Sequence, residues 1–218
     1  MITFNNVSKS YNNITVLRHI TFEVKRGEMV FITGPTGSGK TSLLRLIYNA
    51  ESPDEGEIKV GNFKVTSLKR SEVPYLRRHI GIIFQDFKLI QNMTVFDNVA
   101  LNLWIRKAKD IKNLVHEALK KVHLRHKMDS YPKMLSGGEQ QRVAIARAIA
   151  GKPELILADE PTANLDPNTA TAIIQLITEI NLQGTTVLIA THYRELFRNT
   201  WKRIFRLDEG NLTERKLS

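Results

Sequence analysis

The run Gly34-Pro35-Thr36-Gly37-Ser38-Gly39-Lys40-Thr41 combines two kinds of chemistry. Its glycines let consecutive backbone N–H groups curl around phosphate oxygens, and a helix opening behind them adds positive potential. The spacing, G-x-x-x-x-G-K-[ST], is that of a nucleoside-triphosphate loop. In it Lys40 would reach the β- and γ-phosphates and the Thr41 hydroxyl would bind Mg²⁺. A Gly-rich turn that merely joins strand to helix is the plainer reading, and the complete pattern between an apolar strand and an apolar helix-like run outweighs it. Such a loop needs an acid to complete the Mg²⁺ site. Leu155-Ile156-Leu157-Ala158 reads as a buried strand ending in Asp159-Glu160, and the carboxyl ends of parallel strands are where α/β sheets hold ligands. Asp159 would hold Mg²⁺ through water, and Glu160 would polarise the attacking water as general base. A third segment, Leu135-Ser136-Gly137-Gly138-Glu139-Gln140-Gln141-Arg142, opens a helix. Ser136 with Glu139 three residues on is a capping box, which leaves the two glycines, Leu135 and the Gln-Gln-Arg run unexplained.

The elements that must position these groups can be read from periodicity. Ile2–Val7, Val16–Val24 and Met29–Thr33 alternate like strands, with turns at Asn12-Asn13 and Arg26-Gly27. The loop at 34–41 follows the third strand directly and leads into the helix-like run Ser42–Tyr48. A Pro/Gly-punctuated stretch, Ser52–Gly61, precedes strands near Glu57–Val60 and Phe63–Val65, and Ile80–Phe84 is another buried-type strand. Residues from about 94 to 122 read as helices, 130–138 as a breaker-rich loop, and 139–150 as a helix. The last third repeats strand then helix: Leu155–Ala158, Pro167–Ile180, Thr185–Ala190, Tyr193–Thr200, Ile204–Leu207, with almost nothing expected beyond. Short apolar strands between helices imply a parallel sheet covered on both faces. The fold class is α/β with a helical insertion.

The chain has 218 residues, 42% hydrophobic and 25% charged, a globular balance that suits one domain or one core with an inserted subdomain. No apolar run approaches the ~18–20 residues of a membrane span, and no secretory signal is apparent. With no cysteine, a disulfide framework and a thiolate metal site are excluded, and a cytosolic compartment is the expectation. The formal charge is +10, and position matters more than the total. Residues 101–135 hold nine Lys/Arg against Asp110, Glu117 and Asp129, a local +6. Three readings stay open: a solvated helix face, a surface near anionic lipid or an acidic partner, and nucleic acid. The last is weakest because no aromatics are interleaved to stack bases.

With its glycine pair, the 135–142 segment resembles the signature of the ATP-binding-cassette (ABC) ATPases, and the other motifs follow in that family's order over nearly the whole chain. The resemblance implies a P-loop NTPase (RecA-like) core with an N-terminal antiparallel β subdomain and an inserted α-helical subdomain. About 1–86 and 150–218 would form the core with the β subdomain, and about 87–149 the helical part. It also implies a homodimer that closes on ATP. Each ATP would lie between the 34–41 loop of one subunit, with Ser42, and the Ser136, Gly137, Gly138 and Glu139 turn of the other. Carried over singly, Tyr11 would stack on adenine, Gln85 would reach Mg²⁺ and the attacking water, and His192 would contact the γ-phosphate. The Ala163-Asn164-Leu165-Asp166 loop would cross the dimer interface. Ala163 and Tyr193 depart from the family's common Gly and Asp without removing a catalytic group. Segments 73–90 and 94–100, Asp86 among them, resemble the cell-division branch of the family, whose ATPase docks a separate integral membrane subunit through the groove near Gln85. That places the chain on the cytoplasmic side of the cell membrane. Lipoprotein-release and macrolide-export ATPases are the alternative within the family. A soluble nucleic-acid-acting ABC protein, and a small-molecule P-loop kinase, are alternatives of other classes.

Overall fold

The computed structural model describes residues 1–193 and 202–215. Two sheets carry the architecture. The first is antiparallel and is built from β1 (Ile2–Tyr11), β2 (Ile14–Val24), β4 (Glu55–Val60) and β5 (Phe63–Lys64), in the order β2-β1-β4-β5. Its opening hairpin turns on Asn12 and Asn13, both left-handed at φ 47° and 65°, the paired positive-φ turn that matches the twist of antiparallel strands.

The second sheet runs β10-β9-β3-β8-β7-β6. Its members are β3 (Met29–Thr33), β6 (Ile80–Ile83), β7 (Leu155–Asp159), β8 (Thr186–Thr191), β9 (Arg203–Asp208) and β10 (Asn211–Arg215). Five strands are mutually parallel, and β10 pairs antiparallel to β9. The central strands are unbroken apolar runs because each face has its own core. Val30, Ile32, Leu155, Leu157, Leu188 and Ala190 pack with Ile2, Phe4 and Phe22 of the antiparallel sheet and with α1 (Lys40–Ile47). The alternate residues, Phe31, Ile156, Ala158, Val187 and Ile189, pack with the helices on the other face.

Those helices are α3 (Val95–Ile105), α4 (Ile111–Lys121), α5 (Gly137–Ile149) and α6 (Pro167–Leu182); a short α2 (Val73–Arg78) precedes β6. Three starts are fixed by side-chain caps. Thr94 with Asp97 and Ser136 with Glu139 form reciprocal capping boxes, and the Asp166 carboxylate accepts from the N–H groups of Asn168 and Thr169. Strand and helix positions follow the sequence expectation with ends moved by a residue or a few, and two elements were not anticipated. One is α2. The other is β10, in the short stretch after Leu207; only Leu212 of its five residues is half-buried, so no apolar alternation marks it. The segment expected to form a helix over 193–200 lies, beyond Tyr193, outside the described residues.

Candidate nucleotide-binding and hydrolysis site

The 34–41 loop is shaped by two glycines that cannot be anything else. Gly34 has φ +153°, and a Cβ on it would lie 2.0 Å from the Leu207 carbonyl oxygen. Gly39, the N-cap of α1, has φ +100°, with a Cβ 2.6 Å from Val16 Cγ1. As a glycine it offers no side-chain cap, so the first-turn N–H groups of α1 face whatever the loop encloses. Ser38 Oγ is buried with no hydrogen-bond partner among the described residues, a cost that a phosphate oxygen would relieve. Lys40 is only 6% exposed. Its Nζ donates to the carbonyls of Gly34 (3.0 Å) and Pro35 (2.9 Å) and stands 3.7 Å from Glu160 Oε1.

Two residues from the end of β7 face this loop. Thr41 Oγ1 donates to Asp159 Oδ1 at 3.1 Å. Burial pushes the Asp159 carboxyl above its ordinary range, opposed by the Thr41 hydrogen bond. A hydroxyl and one carboxylate are hard oxygen donors of the kind Mg²⁺ takes when phosphates and water complete its shell, so these residues fit that ion. Glu160 adopts left-handed backbone geometry, φ +46°, held by its N–H donating to the Ala190 carbonyl at 2.8 Å. The twist sends its side chain into the interior, 10% exposed, against His192 at the end of β8. His192 Nδ1 is 2.8 Å from Glu160 Oε1, and the His192 backbone N–H donates to the same oxygen at 3.1 Å.

Two clefts border the loop. One, about 450 Å³, is lined by Thr41, Arg45 and Tyr48 along α1 and by Gln85, Asp86, Asp159 and Asn164. The other, about 290 Å³, is lined by Thr33, Gly34, Pro35, Thr36, His192, Arg206 and Arg215. Gly37, at the loop's tip with φ +82°, has open space where a Cβ would project. Tyr11 lies beside the start of α1: its hydroxyl bonds the Glu51 carboxylate and lies 3.2 Å from Ser42 Oγ. Burial first, then the Glu51 bond, raise its pKa.

The fold thus brings Thr41, Gln85 and Asp159 to one side of the loop and Glu160 and His192 to the other. It does not bring Ser136, Gly137, Gly138 and Glu139 there: none of them lines either cleft. Their turn instead lies against the start of α6. A Cβ on Gly138 would meet Thr169 Cγ2 at 2.6 Å, and one on Gly137 would meet Leu165 at 3.6 Å. Glu139 is held below its ordinary pKa, chiefly by the Ser136 N–H. Asp166 is likewise lowered, first by the Thr169 hydroxyl and then by the Thr169 N–H of the helix start that it caps. Sequence reasoning missed Arg206 and Arg215, whose places depend on strand pairings no local pattern shows, and Glu51, a loop residue whose partner Tyr11 is forty positions away. It quoted Gln141 without a role and overlooked Arg147, which donates to the Phe87 and Lys88 carbonyls in the loop after Gln85.

This constellation can bind a polyphosphate, hold a divalent cation beside it, and deprotonate water next to it. Residues 17–163 match the ABC transporter family. The chain belongs to that family: its fold is the P-loop NTPase fold of ABC cassettes, and it is an ABC-type ATPase that binds nucleotide and hydrolyses ATP to ADP and phosphate. Within the family it is similar to the cell division ATP-binding proteins FtsE. It is 47% identical to that of Escherichia coli K12 over 97% of both chains. It is 42% identical to that of Bacillus subtilis 168 over 96% of this chain and 93% of the relative, and 45% identical to that of Mycobacterium tuberculosis H37Rv over 97% and 94%. Among solved structures, the dimeric post-hydrolysis state of the ATP-binding cassette MJ0796, bound to ADP and Pi, superposes with a TM-score of 0.90 at 39% identity, covering 100% of this chain and 99% of that one.

Proposed function

We propose that the chain is the ATPase subunit of an FtsE–FtsX-like membrane complex and acts as one ABC domain. About 1–86 and 150–218 form the core with its β subdomain, and about 87–149 form the helical subdomain. The strands of the described residues fall in the first two ranges, and α3, α4 and α5 in the third, which supports the division. The observation that carries the reading is that the site is half-built. Lys40, Glu160 and His192 converge beside the phosphate loop, while Ser136 and Gly137 stand exposed on a capped helix start that reaches neither cleft. A second copy related by a two-fold axis would lay its Ser136, Gly137, Gly138 and Glu139 turn, and its Asp166 loop, onto the nucleotide. One self-complementary surface then makes two composite sites.

Lys40 stands beside Glu160 and satisfies two loop carbonyls. The γ-phosphate competes for that lysine. Glu160, released from it but still held by His192, is left as the proton acceptor for water, a role worth ~10²–10⁴-fold. Tyr11 and Ser42 flank the adenine side, while Pro35, Thr36 and the loop glycines line the phosphates. Thr41, Asp159 and Gln85 would hold Mg²⁺, which would supply neutralising charge for the phosphates.

Closing and opening do work only when something is coupled to them. The outer groove near Gln85, beyond the Thr41 and Asp159 side that would hold the cation, is the proposed dock for an integral FtsX-like subunit that carries the signal across the membrane to cell-wall hydrolysis, with this chain peripheral on the cytoplasmic face of the inner membrane. No helix of the described residues is long and apolar enough to cross a membrane, so the spanning part belongs to that partner. A second cleft on the helical subdomain is lined by His116, Lys120, His123, Arg125, His126 and Met128, with no carboxylate among them, and supports contact with anionic head groups. It also lacks Phe, Tyr and Trp, which disfavours nucleic acid.

Glu160→Gln tests the whole reading. The variant is expected to bind ATP, dimerise with it, lose at least ~100-fold in turnover, and retain an FtsX-like protein when captured from native membranes. Undiminished turnover removes Glu160 from the base role. An ATP-bound monomer removes the composite site. Capture of a lipoprotein-release or exporter permease moves the chain to that pathway.

A further inference from the structure

The residue that would stack on the base and the loop that would hold the phosphates belong to different sheets. Tyr11 ends β1 of the antiparallel sheet, whereas the loop at 34–41 joins β3 of the other sheet to α1. A nucleotide must touch both, so the span between them has to be fixed. The segment between α1 and β4 does this. Glu51 divides its two carboxylate oxygens: Oε2 accepts from the Tyr11 hydroxyl, and Oε1 accepts from Arg45 Nη1 at 3.0 Å. Tyr11 is thereby tied to α1, with its hydroxyl 3.2 Å from Ser42 Oγ. Arg45 in turn lines the cleft that contains Thr41, Gln85 and Asp159. Three residues after Glu51, Asp54 grips the same strand end. Its Oδ1 accepts from Lys9 Nζ at 2.9 Å and its Oδ2 from the Ser10 N–H at 2.7 Å. Lys9 Nζ lies 5.4 Å from the centre of the Tyr11 ring, within cation–π range.

An exposed Arg–Glu pair on a helix end contributes little by itself. Glu51 differs from such a pair because its side chain is only 22% exposed and one of its oxygens is given to a tyrosine forty positions away. Stacking needs only the aromatic ring, and a phenylalanine would supply one. A hydroxyl anchored at the far end of the ring removes its rotational freedom before a base arrives. Ordering a side chain on binding costs affinity, and a side chain already ordered avoids that cost. Asp54 holds the backbone and Lys9, so the ring itself depends on Glu51.

We infer that Glu51 is the positioning residue for the nucleotide base, locking the Tyr11 ring at a set distance from the phosphate loop. It makes the site favour a nucleotide over a bare polyphosphate. The inference rests on the reading of Tyr11 as the residue that stacks on adenine.

The test compares Mg²⁺-ATP with Mg²⁺-tripolyphosphate, which has no base. Both are titrated calorimetrically into wild type, Glu51→Leu, Glu51→Gln, Tyr11→Phe, Tyr11→Ala and the Glu51→Leu/Tyr11→Phe double variant, with melting temperature as the check on folding. Glu51→Leu and Tyr11→Phe are each expected to lose ~3–10-fold in ATP affinity, the equivalent of ordering one side chain on binding. Both should keep wild-type affinity for tripolyphosphate, a separation that a merely structural role would not produce. The double variant should bind ATP no worse than either single one, since both remove the same bond. Glu51→Gln, whose amide oxygen still accepts from Tyr11, should fall between Glu51→Leu and wild type. Equal weakening of both ligands by Glu51→Leu, or additive losses in the double variant, overturns the positioning role and makes Glu51 a brace of α1. If Tyr11→Ala loses ATP affinity while Tyr11→Phe and Glu51→Leu match wild type, the positioning role alone fails. If Tyr11→Ala also binds ATP like wild type, the stacking role fails and the positioning role with it.

Discussion

At the scale of single residues, the site is set by what two positions exclude. The Leu207 carbonyl stands where a Cβ of Gly34 would go, and Leu207 lies in β9, which pairs parallel with β3 immediately before the loop. Neither strand can shift without disturbing the other. Gly34→Ala is therefore expected to cost ~1–3 kcal/mol of stability as overpacking and to abolish nucleotide binding. Gly37→Ala meets open space and is expected to cost only the ~1–2 kcal/mol of a left-handed residue, with binding retained. Thermal melting and ATP titration of both variants decide it; equal loss of binding would mean that close approach at Gly34 is not what matters. Ser136 separates two roles in the same way. Ser136→Asp keeps a good cap for α5 but aims a carboxylate at the partner's phosphate. It should leave melting within ~0.5 kcal/mol of wild type and abolish ATP-driven dimerisation of the Glu160→Gln protein. Ser136→Ala should cost ~1 kcal/mol in stability through the lost cap.

At the scale of elements, helix starts carry a pH dependence whose sign follows from their acceptors. Glu139 is held below its ordinary value of 4.5 chiefly by the Ser136 N–H, and Asp166 below 3.8 by the Thr169 hydroxyl first and then the Thr169 N–H, because donors favour the charged forms. A carboxylate with a depressed folded-state pKa adds stability above its unfolded value and loses it as pH falls through the folded one. Acid melting should therefore steepen from the ordinary carboxylate range downward. Glu139→Gln should flatten that limb while lowering stability at neutral pH; an unchanged limb would mean the α5 cap contributes nothing there. How far elements were legible in the sequence follows the same physics. Met29–Thr33 and the strand before Asp159 could be read because burial on both faces writes a continuous apolar run. The start of α5 could be read from its capping pair, Ser136 and Glu139. β10 could not, since an edge strand with one half-buried residue has no apolar code; its mark is the turn at Glu209 and Gly210, φ 47° and 80°. The loop at 34–41 and the Asp159-Glu160 pair stood out as spaced motifs. The Arg147 bond to the Phe87 and Lys88 carbonyls spans about sixty positions and has no local signature at all.

At the scale of the whole molecule, charge is divided between a site that must hold polyphosphate and a helical subdomain with its own cationic cleft. Lys120 and Arg125 are exposed there beside three histidines, on α4 and the turn after it, away from both clefts that border the phosphate loop. Each basic residue close to an anionic bilayer contributes ~1 kcal/mol, so removing two amounts to roughly thirtyfold in partition. Lys120→Glu with Arg125→Glu is expected to weaken co-sedimentation with vesicles containing phosphatidylglycerol by at least that factor, without moving the melting temperature. Raising salt from 0.1 to 1 M shortens the screening length from about 10 to about 3 Å and should erase the difference between wild type and variant. Equal sedimentation of the two at low salt would show that the cleft is a solvated face.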